Sequence, residues 1–196
     1  MVIKLILFDI DKTLQHHDAA SYYAYLSGLT GRSEKAIRRF CLPMDHAIDA
    51  GKLRQTTFNR KVARFLRLPV EKTDYIRFCR GEIYQYKEMH RLANQLHSRY
   101  EIGCLSNMAR ERWNLLTKKA MGDIDFDYYF ISYAFGVIKP NPGIFKAVLE
   151  RLGMPPGEVL FIDDKAENIA AARKIGMKGI RFTGVAKLRK DLRRTL

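Results

Sequence analysis

No stretch of this chain approaches the ~20 consecutive apolar residues that a membrane span needs, so a membrane-spanning protein is not expected. Cysteine is scarce. Cys41, Cys79 and Cys104 form an odd set with no CxxC spacing, which argues against a disulfide framework or a thiolate zinc site. Acidic residues are also few, 21 Asp and Glu against 35 Lys and Arg, for a net charge of +14. A field of that sign draws anions, whether nucleic acid, a membrane surface or small phosphorylated molecules. The basic residues are not gathered into one block. They recur as Arg38-Arg39, Lys118-Lys119 and a segment from Lys187 to Arg194, a pattern that solvated helix faces produce. No zinc-finger, RNP-type or other nucleic-acid motif occurs, so a nucleic-acid partner rests on charge alone and is not favoured. Internal repeats and low-complexity tracts are missing too. Met1-Val2-Ile3-Lys4 lacks the basic and apolar regions of an export signal, which makes a cytoplasmic location the expectation.

What is there is a soluble, globular composition, 47% hydrophobic and 29% charged over 196 residues. That length suits one good core, or a core domain with a small appendage. Nearly continuous apolar runs predict strands over residues 3–8, 101–105, 128–132, 159–162 and 179–182. Helical spacing predicts helices over 88–100, 142–152 and 166–175, the last two stopped by Gly153 and Gly176. Strands alternating with helices imply an α/β fold with a parallel sheet and right-handed crossovers. Residues 15–86 break the alternation. Helix-like segments over 19–29, 33–40, 56–66 and 72–84 read as an all-helical cap inserted after the first strand. The expected domains are therefore 1–14 with 87–196 as the sheet core, and 15–86 as the cap.

The polar signals fall at the strand ends. Asp9 and Asp11 follow the first strand, Ser106-Asn107 another, and Asp163-Asp164 a third, while Lys139 sits in a loop leading into a helix. Ligands of open α/β sheets bind outside the carboxyl ends of the strands, so these distant residues are expected to meet. Converging carboxylates would repel. A hard divalent cation such as Mg²⁺ would resolve that, a lysine would offset more charge, and one carboxylate could attack phosphorus. Residues i and i+2 of an extended chain point to one side, so Asp9 and Asp11 could face one substrate atom.

These residues resemble the four motifs of the haloacid dehalogenase-like hydrolase superfamily, in order: DIDKT from Asp9, SN at Ser106, Lys139 within VIKP, and FIDD ending at Asp164. The stretch from Phe135 to Ala172 is similar to phosphatases of the group that includes sugar-phosphate phosphatases and the N-terminal domain of soluble epoxide hydrolase. The segment from Ala47 to Phe58, around Gly51, resembles that group's helical C1 cap. The resemblance implies a Rossmann-like core and a Mg²⁺-dependent phosphatase acting on a small phosphorylated metabolite, of sugar phosphate or nucleotide type. It implies Asp9 as nucleophile and metal ligand, and Asp11 as general acid, then base, with its carbonyl on the metal. Ser106, with Asn107, would hold the phosphoryl group. Lys139 would neutralise charge and hold Asp9. Asp164 would bind Mg²⁺ directly, with Asp163 at the metal or just behind it. Rival readings are a dehalogenase, against which Asp11 argues, and a non-catalytic or regulatory protein that keeps the fold, against which the complete set of acids and Lys139 argues.

Lys12 departs from the glycine usual after the second aspartate and reads as solvent-facing. His16 and His17 read as exposed residues opening the cap linker, with a substrate-facing role as the alternative. Lys52 and Arg54, beside Gly51, are the candidates for substrate recognition. Tyr22, Tyr23 and Tyr25 read as cap packing, and Trp113 as core. Substrate identity and oligomeric state are not legible.

Overall fold

The computed structural model describes residues 2–196. Five parallel strands lie in the order β5-β4-β1-β6-β7: β1 (Leu5–Phe8), β4 (Glu101–Ser106), β5 (Tyr128–Ile131), β6 (Val159–Asp163) and β7 (Lys178–Arg181). The central strand β1 is buried along its whole length. Its alternation sends Leu5 and Leu7 to one face and Ile6 and Phe8 to the other. Leu5 and Leu7 join Ile144, Phe145 and Val148 of α8 (Pro142–Leu152) and Ile169 and Ala172 of α9 (Ala166–Lys174). Ile6 and Phe8 join Met89 and Leu92 of α5 (Lys87–His97) and Leu188 and Leu192 of α10 (Val185–Thr195). An all-apolar strand is what a sheet covered on both faces demands.

Between β1 and α5 the chain forms helices α1 (Ala19–Thr30), α2 (Glu34–Asp49), α3 (Gln55–Leu66) and α4 (Tyr75–Glu82), packed on a core of their own around Tyr22, Leu26, Ile37, Cys41, Phe58 and Val62. The chain leaves the sheet through β2 (Gln15–His16) and returns through β3 (Tyr84–Gln85), and these two short strands pair antiparallel. Leaving and returning segments are thus tied side by side beneath the cap.

Two cap helices differ from the sequence expectation. α2 continues past Phe40, through Pro43, to Asp49. Pro43 removes one backbone donor, but it sits on the exposed face, where water serves the freed carbonyl, while Ile37, Cys41 and Ile48 continue the buried stripe. The segment expected as a helix over 72–84 is split. A 3₁₀ turn at Val70–Thr73 precedes α4, whose start is set by the Asp74 carboxylate accepting from the amides of Ile76 (3.0 Å) and Arg77 (3.2 Å). That is ordinary N-capping.

Gly51 joins α2 to α3 at φ +69°, and a Cβ there would run into the carbonyl of Tyr133 at the sheet edge. Both the φ and the close approach demand glycine. Gly51→Ala is expected to destabilise by more than ~1 kcal/mol, whereas Gly28→Ala, with open space inside α1, should stabilise by about 0.5–1 kcal/mol. Urea midpoints of the two variants check this. A Gly51→Ala protein as stable as wild type would mean that α2 does not seat against Tyr133.

Candidate active site

The carboxyl ends of β1, β4 and β6 open into a cavity of about 350 Å³ between the sheet and the cap. Asp9 follows β1, Ser106 ends β4 with Asn107 after it, and Asp163 ends β6 with Asp164 after it. Lys139 approaches from the loop before α8. It is 3% exposed, and its Nζ donates to Asp9 Oδ1, Asp163 Oδ2 and the Leu105 carbonyl, each at 2.7 Å. A buried ammonium is tolerable only with such complete pairing.

Each neighbour has a definite task. Asn107 clamps the lysine's backbone: its Nδ2 donates to the Lys139 carbonyl and its Oδ1 accepts from the Lys139 amide, both at 2.8 Å. The Asn107 amide therefore holds Lys139 in place. Asp163 is fully buried, and besides Lys139 it accepts from the Lys165 amide and Asn168 Nδ2, both at 2.8 Å. Asp164 is half-buried and lines the cavity. Among the described residues, Ser106 Oγ makes no hydrogen bond; the residue is buried at the cavity wall.

Asp9, Asp163 and Asp164 each offer an oxygen, all within 4.8 Å of one another. Three carboxylates here meet one ammonium. Burial pushes the Asp9 carboxyl up to about 7; Lys139 pulls the other way, and Asp163 adds to the rise. Asp164 is raised as well, by burial and then by Asp163. Burial alone would lower Lys139, but Asp163 and Asp9 win and raise it, so it stays charged.

Asp11 lies apart from that oxygen group. β1 ends at Phe8 and the chain turns at once, with the amides of Leu14 and Gln15 both donating to the Ile10 carbonyl. The Asp11 carboxylate accepts from Gln15 Nε2 at 2.8 Å and from Arg112 Nη2 at 2.6 Å. Burial would raise this carboxyl, but the guanidinium of Arg112 holds it well below the usual carboxylate range. Asp9 and Asp11 nonetheless border the same cavity.

Sequence reasoning missed Arg112. It ends the short helix α6 (Arg110–Arg112), which runs through a π-helical turn at Trp113–Thr117 into α7 (Lys118–Ala120). In the string RERW it looks like one more surface cation, yet it is 4% exposed. His17 corrects the expectation of an exposed linker residue. It is 5% exposed, borders the cavity, and accepts at Nδ1 from Arg112 Nη1 at 2.7 Å. Burial, then Arg112, lowers its pKa, which keeps the ring neutral. His16 is half-buried and stacks on Tyr84.

The expectation for Lys52 and Arg54 is also overturned. Both are exposed and neither borders the cavity. Their flexible charged heads remain in water beyond the turn at Gly51, and the next residue, Gln55, reaches the cavity instead. The cap wall is built mainly from α2, where Leu42, Asp45, His46 and Asp49 recur at helical spacing. Burial pushes Asp45 up to about 6 and Asp49 up to about 7. Tyr23 borders the cavity too, and its hydroxyl donates to Asp45. Tyr22 belongs to the cap core, Tyr25 packs on Phe78 at the surface, and Trp113 is in the sheet core. Lys12 is exposed, at φ 60°, with Asp18 Oδ2 at 3.1 Å. The three cysteines are free and buried. Two larger grooves, about 490 and 600 Å³, run along β7 and α10 between surface arginines and lysines. Neither touches these carboxylates, so size does not mark the site. No described helix is long and apolar enough to cross a membrane.

Residues 3–176 match the family of haloacid dehalogenase-like hydrolases. The bifunctional epoxide hydrolase 2 of Rattus norvegicus is 40% identical over 67 residues, 34% of this chain and 12% of that one. The matched segments span 5% to 36% of the curated relatives' own lengths. A HAD family enzyme of Bacteroides thetaiotaomicron, solved in complex with magnesium and inorganic phosphate, superposes with a TM-score of 0.77 at 23% identity, covering 91% of this chain and 93% of the other. The L-2-haloacid dehalogenase of Xanthobacter autotrophicus superposes with a TM-score of 0.65 at 22% identity, over 98% and 83%. At these identities the two structures speak to the fold.

Proposed function

This chain belongs to the haloacid dehalogenase-like hydrolases, and from that premise we propose that it is a Mg²⁺-dependent phosphatase of a small phosphorylated metabolite, working through an aspartyl-phosphate on Asp9. The observation that carries this reading is the Lys139 ammonium at 2.7 Å from both Asp9 and Asp163, with an oxygen of Asp164 in the same 4.8 Å group. A set of hard carboxylate oxygens with more negative charge than its one lysine offsets fits Mg²⁺. The magnesium and phosphate bound by the Bacteroides enzyme support the same assignment.

Asp9 and Asp164 would hold the metal, together with the Asp11 carbonyl, and Asp163 would brace Lys139 from behind. Bound there, Mg²⁺ would neutralise phosphoryl oxygens and the carboxylates around them. Lys139 favours the ionised form of Asp9 against the rise that burial causes, and aims it, so that one of its oxygens can attack phosphorus. Ser106 Oγ, which bonds to none of the described residues, is available to donate to a phosphoryl oxygen. Asp11 stands at the leaving-group side: Arg112 favours the ionised form that serves as base toward water, and to act first as acid toward the departing oxygen it takes up a proton as the negative charge of the substrate's phosphoryl group arrives beside it. Phosphoryl transfer asks mainly for such positioning and charge placement. The rival dehalogenase chemistry would leave the carboxylate cluster and Asp11 without a task. A cavity of about 350 Å³ admits a small leaving group.

The test is phosphate release from a panel of small phosphomonoesters, including p-nitrophenyl phosphate, with Mg²⁺ and with EDTA. Turnover is expected with Mg²⁺, is lost in EDTA, and returns on adding excess Mg²⁺. A folded protein that releases no phosphate from any ester with Mg²⁺ present would overturn the reading in favour of a binding protein.

A further inference from the structure

Arg112 is neither one of the family's motif residues nor a surface cation. Its two terminal nitrogens grip neighbouring acceptors: Nη2 donates to Asp11 Oδ2 at 2.6 Å and Nη1 to His17 Nδ1 at 2.7 Å, and those two acceptor atoms lie 3.5 Å apart. Because His17 accepts at Nδ1, its proton resides on Nε2. That atom lies 3.1 Å from the Tyr75 hydroxyl and 3.4 Å from Cys79 Sγ, both on α4 of the cap. An unbroken, largely buried chain of contacts thus runs from the loop after β1, through the crossover after β4, to the linker and the cap helix.

We propose that Arg112 is a positioning residue. It fixes the Asp11 carboxylate at the leaving-group side of the cavity and, through His17 and Tyr75, makes that placement depend on how the cap is seated. This rests on the phosphatase reading above. Three observations favour positioning over direct substrate binding. Arg112 borders the cavity, but the residue is 4% exposed, both terminal nitrogens are already engaged by protein, and the Asp11 carboxylate is held from its other oxygen by Gln15. A planar fork fits this geometry, since it holds two acceptors at a fixed angle where an ammonium would hold them loosely. Neutral His17 serves as a spacer that passes the constraint to α4.

The experiment compares two substrates. An alkyl phosphate needs its leaving oxygen protonated, while p-nitrophenyl phosphate leaves as a stabilised phenolate that needs no proton. Misplacing Asp11 should therefore harm the first more. Arg112→Gln is expected to lower kcat/KM on the alkyl ester, which reports the phosphoryl-transfer step without the later hydrolysis, by about 10²-fold or more, the scale of acid–base assistance. The loss on p-nitrophenyl phosphate should be under about 10-fold, Asp11 being dispensable in that first step. Arg112→Lys, which keeps the charge but not the fork, should behave like Arg112→Gln. His17→Gln and Tyr75→Phe should show the same substrate-dependent split at smaller size, and they carry the test if Arg112→Gln does not fold by circular dichroism. Equal losses of kcat/KM on both esters would overturn the positioning role, and an equal rise in KM on both with kcat unchanged would make Arg112 a substrate-binding group. Wild-type protein inert toward both esters would overturn the phosphatase reading, and this inference with it.

Discussion

Asp9→Asn is expected to abolish phosphate release, by on the order of 10⁴-fold or more as for other enzymes stripped of a nucleophile, while leaving the protein folded. The two halves of that statement have separate causes. The amide has the shape of the carboxylate but lacks the anionic oxygen that would attack phosphorus. It also lacks one of the charges that the Mg²⁺ site requires. Stability should hold, because Asp9 is a carboxylate that burial already pushes up to about 7. Replacing it with a neutral group relieves the repulsion with Asp163 while leaving Lys139 its bonds to Asp163 and the Leu105 carbonyl. Thermal melting by circular dichroism and phosphate release measured on the same samples check both halves. A variant that keeps a tenth of wild-type turnover would remove Asp9 from the nucleophile's role. A variant that loses turnover only because it has unfolded would show that the charge balance drawn here is wrong.

The sheet was legible because its signal is local. Residues 5–8, 102–105 and 159–162 are largely apolar since their strands are covered on both faces, and the polar residues of the site, Asp9, Ser106-Asn107 and Asp163-Asp164, appear where the strands end. Pro142 at the start and Gly153 at φ 62° bracket α8 within the sequence itself. What the sequence hid is tertiary. Pro43 looks like a helix stop until one sees that it faces water along a stripe completed by Ile48. Arg112 and Arg54 look alike in the string. One is folded in because Asp11 and His17 wait for it, and the other stays in water. His17 likewise takes its burial from Arg112 and α4, neither adjacent in sequence. The acidic cap wall of Asp45 and Asp49 depends on which face of α2 turns inward, and that is set by Ile37, Cys41 and Ile48 on the adjoining stripe.

Lys139→Met carries the largest expected effect on stability. Removing one partner of a buried ion pair typically costs about 3–5 kcal/mol, because the other partner is left charged and unpaired. Here two carboxylates are left, Asp9 and Asp163, the second fully buried. At ~2–4 °C per kcal/mol for a chain of this size, the melting temperature should fall by about 6–20 °C. The flexible Met side chain can occupy much of the lysine stem's space, and the Asn107 clamp acts on the backbone of residue 139 and survives the change. The loss is therefore electrostatic in origin, and two further measurements separate it from poor packing. Adding Asp163→Asn to Lys139→Met should recover part of the lost stability, since one uncompensated charge is gone. Added Mg²⁺ should raise the melting temperature of Lys139→Met by more than it raises that of wild type, because the cation then faces carboxylates that no ammonium offsets. A fall of under about 1 kcal/mol, the size expected of an exposed pair, would mean that Lys139 does not bridge Asp9 and Asp163 in solution.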